Sequence, residues 1–225
     1  MPNADISRHL NQPRKHYAGA RLQQGRPLLD SDFNEGAEAR AGLWRETLLD
    51  IVGAAGSQDD GFMPALRVGD TVTSKLVRFG ASTQSFVLDY PLKAGSMYVG
   101  GALWEQSDAE PVIFQRGFLQ MGAATAPRAG VGLQRQLSYL RGWEQPVTAV
   151  EDGELLEPSL GRADSAARVR RVRRVEVRNV QATDCAAAFA EVLEDLGHGD
   201  TATYDAATCQ LRSDEYLAAH TANSS

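Results

Sequence analysis

Gly25-Arg26-Pro27-Leu28-Leu29-Asp30-Ser31-Asp32-Phe33-Asn34-Glu35 reads as a strand end, a hard stop and a helix start. Asp32 and Glu35 have the spacing of a capping box, in which each side chain accepts from the other residue's backbone N–H. Asp30 adds negative charge at the positive end of the helix dipole. Downstream, Phe33, Ala37, Trp44, Leu48 and Ile51 fall along one helical face. The pattern predicts a helix from about Asp32 to Val52, stopped by Gly53 and Gly56. Upstream, Tyr17–Leu22 and Leu28–Leu29 are short strand candidates around a turn at Gln23-Gln24-Gly25-Arg26, which together predict a hairpin. Residues 1–15 are polar, carry Pro2 and Pro13 and show no period, as expected of an arm that orders only against a partner.

Beyond this segment the periodicity changes. Lys75–Phe79, Ser85–Tyr90, Ser96–Glu105, Val112–Leu119 and Arg135–Trp143 read as short strands separated by Gly and Pro, a spacing that suggests an antiparallel sandwich or small barrel. Ala123–Gly132 reads as an exposed loop and Glu151–Ser165 as irregular. Arg168–Arg178 alternates arginine with valine, as a bulged strand or, alternatively, a helical stretch. Asp184 caps a predicted helix whose face is Cys185, Phe189, Val192, Leu193 and Leu196. A short strand follows through Cys209–Leu211, and Ser213 is placed to cap a last turn or two. The fold class is therefore α+β. Residues 1–60 form a docking arm, hairpin and helix, residues 61–182 a β domain, and residues 183–225 a helical segment and tail.

Composition bounds the function. The 225 residues are 43% hydrophobic, enough for a core, and only 7% aromatic, so much of that core is small. A net charge of -6 gives no general reason to bind nucleic acid or anionic membrane. No run approaches the roughly 18 apolar residues that span a bilayer, and the N-terminus has no signal-like stretch. Synthesis in the cytoplasm follows as the expectation. Cys185 and Cys209 read as reduced thiols, a disulfide between them being the alternative; neither belongs to a C-x-x-C pair.

Chemical motifs are sparse. Asp30-x-Asp32-x-Asn34 opens like a calcium loop but has Glu35 where a glycine is needed and Ala41 where the closing Glu belongs. His9, His16, His198 and His220 lack metal-ligand spacing, so no metal or cofactor is expected. No nucleophile elbow, phosphate-binding loop or dinucleotide fingerprint occurs. Glu151, Asp152, Glu154 and Glu157 cluster, and read as a solvated loop or interface rim rather than a catalytic pair. Arg168, Arg170, Arg171, Arg173, Arg174 and Arg178 read as salt-bridged structural or interface arginines, with the upstream acidic cluster supplying partners. A nucleic-acid patch is the alternative, weakened by the lack of interleaved aromatics.

Two segments resemble a bacterial domain family. His16–Arg26 with Asp30–Glu35 is similar to that family's opening, Y-x-G-V-R-x-Q-Q-G-R-V-x-L-D-A-D-W-N-E. Tyr139–Asp152 with Glu157–Arg168 is similar to its W-E-R-x-V-T-A-V-E-D and E-x-A-L-G-G-P-D-T-A-T-R. Phe33 stands for the Trp, Pro146 for the usual acid and Arg162-Ala163 for Gly-Pro. The family is associated with phage-tail-like gene clusters and contractile injection systems, where it often precedes fibre-like extensions. The resemblance implies a non-enzymatic structural subunit at the baseplate or tail tip of such a particle, made in the cytoplasm and then incorporated. Other baseplate, spike or tail subunits are the implied partners, and a homotrimer is plausible on particle symmetry. Tyr17, Arg21, Gln23, Gln24 and Arg26 are the expected docking residues. Trp143 and the Arg168–Arg174 run are the second group, with a plain core aromatic as the other reading of Trp143. A carbohydrate-binding or carbohydrate-cleaving surface module is the alternative function, with Trp104 and Trp143 as sugar platforms.

Overall fold

A computed structural model of the chain describes residues 13–65, 75–78, 86–116, 135–197 and 202–213. In chain order these form α1 (Asp30–Val52), β1 (Ala55–Gly56), β2 (Lys75–Arg78), β3 (Phe86–Asp89), β4 (Pro91–Leu92), β5 (Gly95–Val99), β6 (Ala102–Gln106) and β7 (Glu110–Pro111). Then follow β8 (Gln136–Val147), β9 (Leu156–Glu157), β10 (Ala163–Asp164), β11 (Arg168–Asn179), α2 (Cys185–Gly197), β12 (Ala202–Asp205) and β13 (Gln210–Ser213). The class is α+β, and the register of the small sheets is antiparallel. The chain divides into two compact units, Met1–Val52 with Trp143–Val172 and Gly53–Gly142 with Arg173–Ser225. This differs from three consecutive segments for a simple reason. β8 and β11 pair with each other, and both strands pass from one unit into the other.

In the first unit, Pro13–Lys15 is a 3-10 turn, and the rest of the expected arm lies outside the described residues. The turn at Gln23–Arg26 forms as expected, with Arg26 N–H donating to Gln23 O at 3.3 Å and Gly25 at φ 73°, a type II pattern. The expected hairpin does not form: residues 16–23 and 27–29 flank the turn without a ladder. α1 starts at Asp30, two residues earlier than expected, so Asp30 and Asp32 share its first turn. Its buried residues are the small Ser31, Gly36 and Ala39. Gly36 faces Ala20, whose Cβ would lie 3.6 Å from a Cβ placed there. The small face of the helix thus carries the extended segment. Between β8 and β11, two 3-10 turns (Gly153–Leu155 and Pro158–Leu160) and the β9–β10 pair organise a stretch expected to be irregular.

The core of the second unit gathers Phe62, Tyr90, Leu92, Trp104, Val112, Ile113, Val175 and Val177. β5 and β6 form a hairpin through Gly100-Gly101, both at positive φ (60° and 69°), in the manner of a type I′ turn. The single strand expected over Ser96–Glu105 is thus two, divided by this Gly-Gly turn. Val112–Leu119 is not a strand over the described residues. The ladder ends at Pro111, and Val112 and Ile113 are buried in bent backbone. β11 is a strand throughout, which sets aside the helical alternative. α2 is capped as expected, with Ala187 N–H donating to Asp184 Oδ1 at 2.9 Å. The α2 face packs Ala188 and Val192 on Val180, Leu137 and Tyr139. The Phe189 and Tyr204 rings meet edge-on at 5.6 Å, tying α2 to the β12–β13 hairpin. The expected cap at Ser213 leads into residues outside those described.

Candidate docking surface

The turn and the start of α1 border an open surface groove of about 210 Å³, lined by Arg21, Gln23, Arg26 and Asp32 beside Leu22 and Leu28. Three of the expected docking residues, Arg21, Gln23 and Arg26, therefore converge on one small site. Tyr17 and Gln24 are exposed but do not line it. Its walls combine guanidinium groups, an amide and leucine methyls. Asp32 sits inside α1 and not before it, so the Asp32–Glu35 capping box does not apply. Asp32 acts instead by its charge on the N-terminal dipole.

Of the apolar stripe read from the sequence on α1, Phe33, Ala37, Trp44 and Ile51 face solvent, while Leu48 is half-buried. Phe33 is 56% exposed, Trp44 68% and Ile51 76%. Ala37, Arg40 and Thr47, which lie along the same face, are exposed too. Leu22, Leu28 and Leu29, just before the helix, also expose more than two-fifths of their surface. Single exposed apolar residues are ordinary; α1 carries four large ones, Phe33, Leu43, Trp44 and Ile51.

The arginine run divides in two. Arg173 is structural: its guanidinium grips Glu110 with two hydrogen bonds (3.1 and 3.4 Å), donates to Glu105 O at 2.8 Å, and lies 5.4 Å from the Phe62 ring centre. Their side chains are only 13% and 10% exposed. Burial pushes the Glu110 carboxyl up, but the hydrogen bonds from Arg173 and from Arg116 N–H outweigh it, and the group ends below its ordinary range. Arg174 is half-buried on the same strand. In the first unit, Arg45 and Arg171 share one oxygen of Glu144 at 3.3 and 3.5 Å. Arg168 donates to the backbone of Ala166 and Ala167, and Arg170 is exposed.

The partners differ from expectation. The carboxylates are Glu110 and Glu144, far along the chain, and not the upstream acidic cluster. Asp152 and Glu157 of that cluster instead cap the two 3-10 turns, accepting from Glu154 N–H and Ser159 N–H. Sequence reasoning missed Glu110 and Glu144 because nothing local marks a carboxylate whose arginine lies 63 or 27 residues away.

Trp104 is 6% exposed in the core, and Trp143 is 37% exposed. The paired platform expected for sugar stacking is therefore not available, since one of its two rings is buried. Cys185 and Cys209 are free thiols. Among the described residues no group of three His, Cys, Asp or Glu could hold a metal ion, and no helix is long and apolar enough to cross a membrane.

The chain belongs to DUF6519, a family of unknown function, whose model matches residues 2–223. No curated protein and no solved structure matches it.

Proposed function

We propose that this chain is a structural subunit of a phage tail or contractile injection particle, placed at the baseplate or tail tip and acting by docking and assembly. The observation that carries the proposal is the exposed apolar face of α1 beside the groove of Arg21, Gln23 and Arg26. A subunit held in a particle has such surfaces covered on incorporation. Support also comes from the two sequence motifs that resemble a family of tail-like gene clusters; the first of them builds the turn and the start of α1. In this reading the antiparallel sheets close into a sandwich or small barrel at the periphery, while the N-terminal unit makes the contact with neighbouring subunits. The chain performs no turnover of its own and becomes part of the assembled particle.

The test is incorporation. A tagged copy expressed in its native gene neighbourhood is expected to sediment with tail-like particles visible by negative-stain microscopy, at a constant ratio to their other subunits. Particles that form complete and without the tagged chain would overturn the proposal.

A further inference from the structure

We infer that the exposed face of α1 pairs with the same face of a second copy of this chain, in an antiparallel two-helix contact. The inference rests on the reading of α1 as a docking helix and names its occupant.

Phe33, Ala37, Arg40, Trp44, Thr47 and Ile51 follow one another at alternating spacings of four and three, and all are exposed. This alternation is the seven-residue repeat that presents a continuous seam to another helix. Of the buried residues of α1, Ser31 and Ala39 lie away from the seam, and Gly36 borders it, against Ala20; the six seam residues themselves stay uncovered by their own unit. At 23 residues the helix is about 34 Å long, enough for the repeat to run its whole length.

The seam is also its own complement. In an antiparallel pair symmetric about Gly42, Phe33 meets Ile51 of the second copy, Ala37 meets Thr47, and Arg40 meets Trp44. Each contact is made twice, as a two-fold interface requires. Arg40 then lies on an indole face, the most favourable ring for a cation. The parallel alternative sets Arg40 against Arg40, two like charges at the middle of the seam, and Ala37 against Ala37, a gap. Charge thus selects the antiparallel arrangement. Phe33, Leu43, Trp44 and Ile51 together offer on the order of 500 Å² of exposed surface, and the Arg40 stem, Ala37 and Thr47 extend it towards the roughly 800 Å² per partner of a stable interface.

The test uses the full chain. Light scattering at micromolar concentration is expected to give twice the chain mass, and Trp44→Glu to halve it while circular dichroism stays unchanged. A second measurement does not depend on that variant folding. In a Cys185→Ser, Cys209→Ser background, the Phe33→Cys, Ile51→Cys double variant is expected to form a covalent dimer on mild oxidation, and neither single variant is. The two sites are about 27 Å apart on one helix, so they cannot close within a chain. A parent protein of single-chain mass at every concentration would overturn the pairing, as would single variants that cross-link as readily as the double. A monomeric parent that still enters particles would overturn this pairing alone; a dimeric parent absent from particles would overturn the particle reading alone.

Discussion

The side-chain amide of Gln115 closes onto the main chain of Val175, its Nε2 donating to the carbonyl and its Oε1 accepting from the N–H, both at 2.8 Å. The same Nε2 donates to Val112 O at 2.8 Å. One side chain thus does the work of a neighbouring strand at the buried centre of β11. Gln115→Ala is expected to strand buried backbone groups and cost roughly 1–3 kcal/mol for each. Gln115→Leu, which fills the volume, is expected not to restore the loss. Urea unfolding midpoints check both.

Removing Glu110 leaves the Arg173 guanidinium nearly buried and without its two-pronged partner. Glu110→Ala is expected to cost about 3–5 kcal/mol. Glu144→Ala, which removes the partner of the more exposed Arg45 and Arg171, is expected to cost no more than about 1 kcal/mol. Similar losses at the two sites would contradict the division of the arginine run into a buried and an exposed half.

The same carboxylate sets an acid limit. The folded Glu110 titrates below the ordinary 4.5. Its contribution is therefore complete above that value, where both folded and unfolded states are ionised, and is lost as pH falls through the lower folded value. Stability is expected to be level with respect to this group at neutral pH and to decline below about pH 4.5. Glu110→Gln should flatten that part of the curve, measured as unfolding midpoint against pH.

Gly142 lies against Trp104: a Cβ there would sit 2.6 Å from Cε2 of the indole. Gly142→Ala is expected to force the ring from its place in the core and cost about 1–3 kcal/mol. Red-shifted Trp104 emission, read with Trp44 and Trp143 replaced by Phe, would report the displacement.

The two helix starts offer a comparison. Asp184→Ala removes a hydrogen bond to Ala187 N–H and is expected to cost about 0.5–2 kcal/mol. Asp32→Ala removes only charge near the dipole of α1 and is expected to cost about 0.3–1 kcal/mol. Thermal unfolding of the two variants side by side checks the order.

Local chemistry explains what could be read in advance. The Gln23–Arg26 turn, the Asp184 cap and the long helix ending at Gly53 were legible because each is settled by a few adjacent residues. The convergence of Arg21, Gln23 and Arg26 followed from that turn. Long-range partnerships were not legible. Nothing beside Val175 announces that Gln115 will serve it, and nothing beside Arg173 announces Glu110. The supposed hairpin failed for the same reason. Strand propensity at Tyr17–Leu22 says that the chain extends, and only a partner makes extension a ladder. The stripe on α1 was visible as a period, but periodicity does not state whether the face meets a core or another molecule.

The discontinuous first unit has a consequence for synthesis. α1 leaves the ribosome early, yet its unit is completed only when Val172 has been made, 120 residues after Val52. At about 5–20 residues per second this is a wait on the order of ten seconds. Phe33, Trp44 and Ile51 are exposed in the complete chain as well, so they are on offer to a neighbour during this wait and after it. On the pairing inferred for α1, a polysome carrying several nascent copies brings one α1 within reach of another, and that contact would form before either chain is finished.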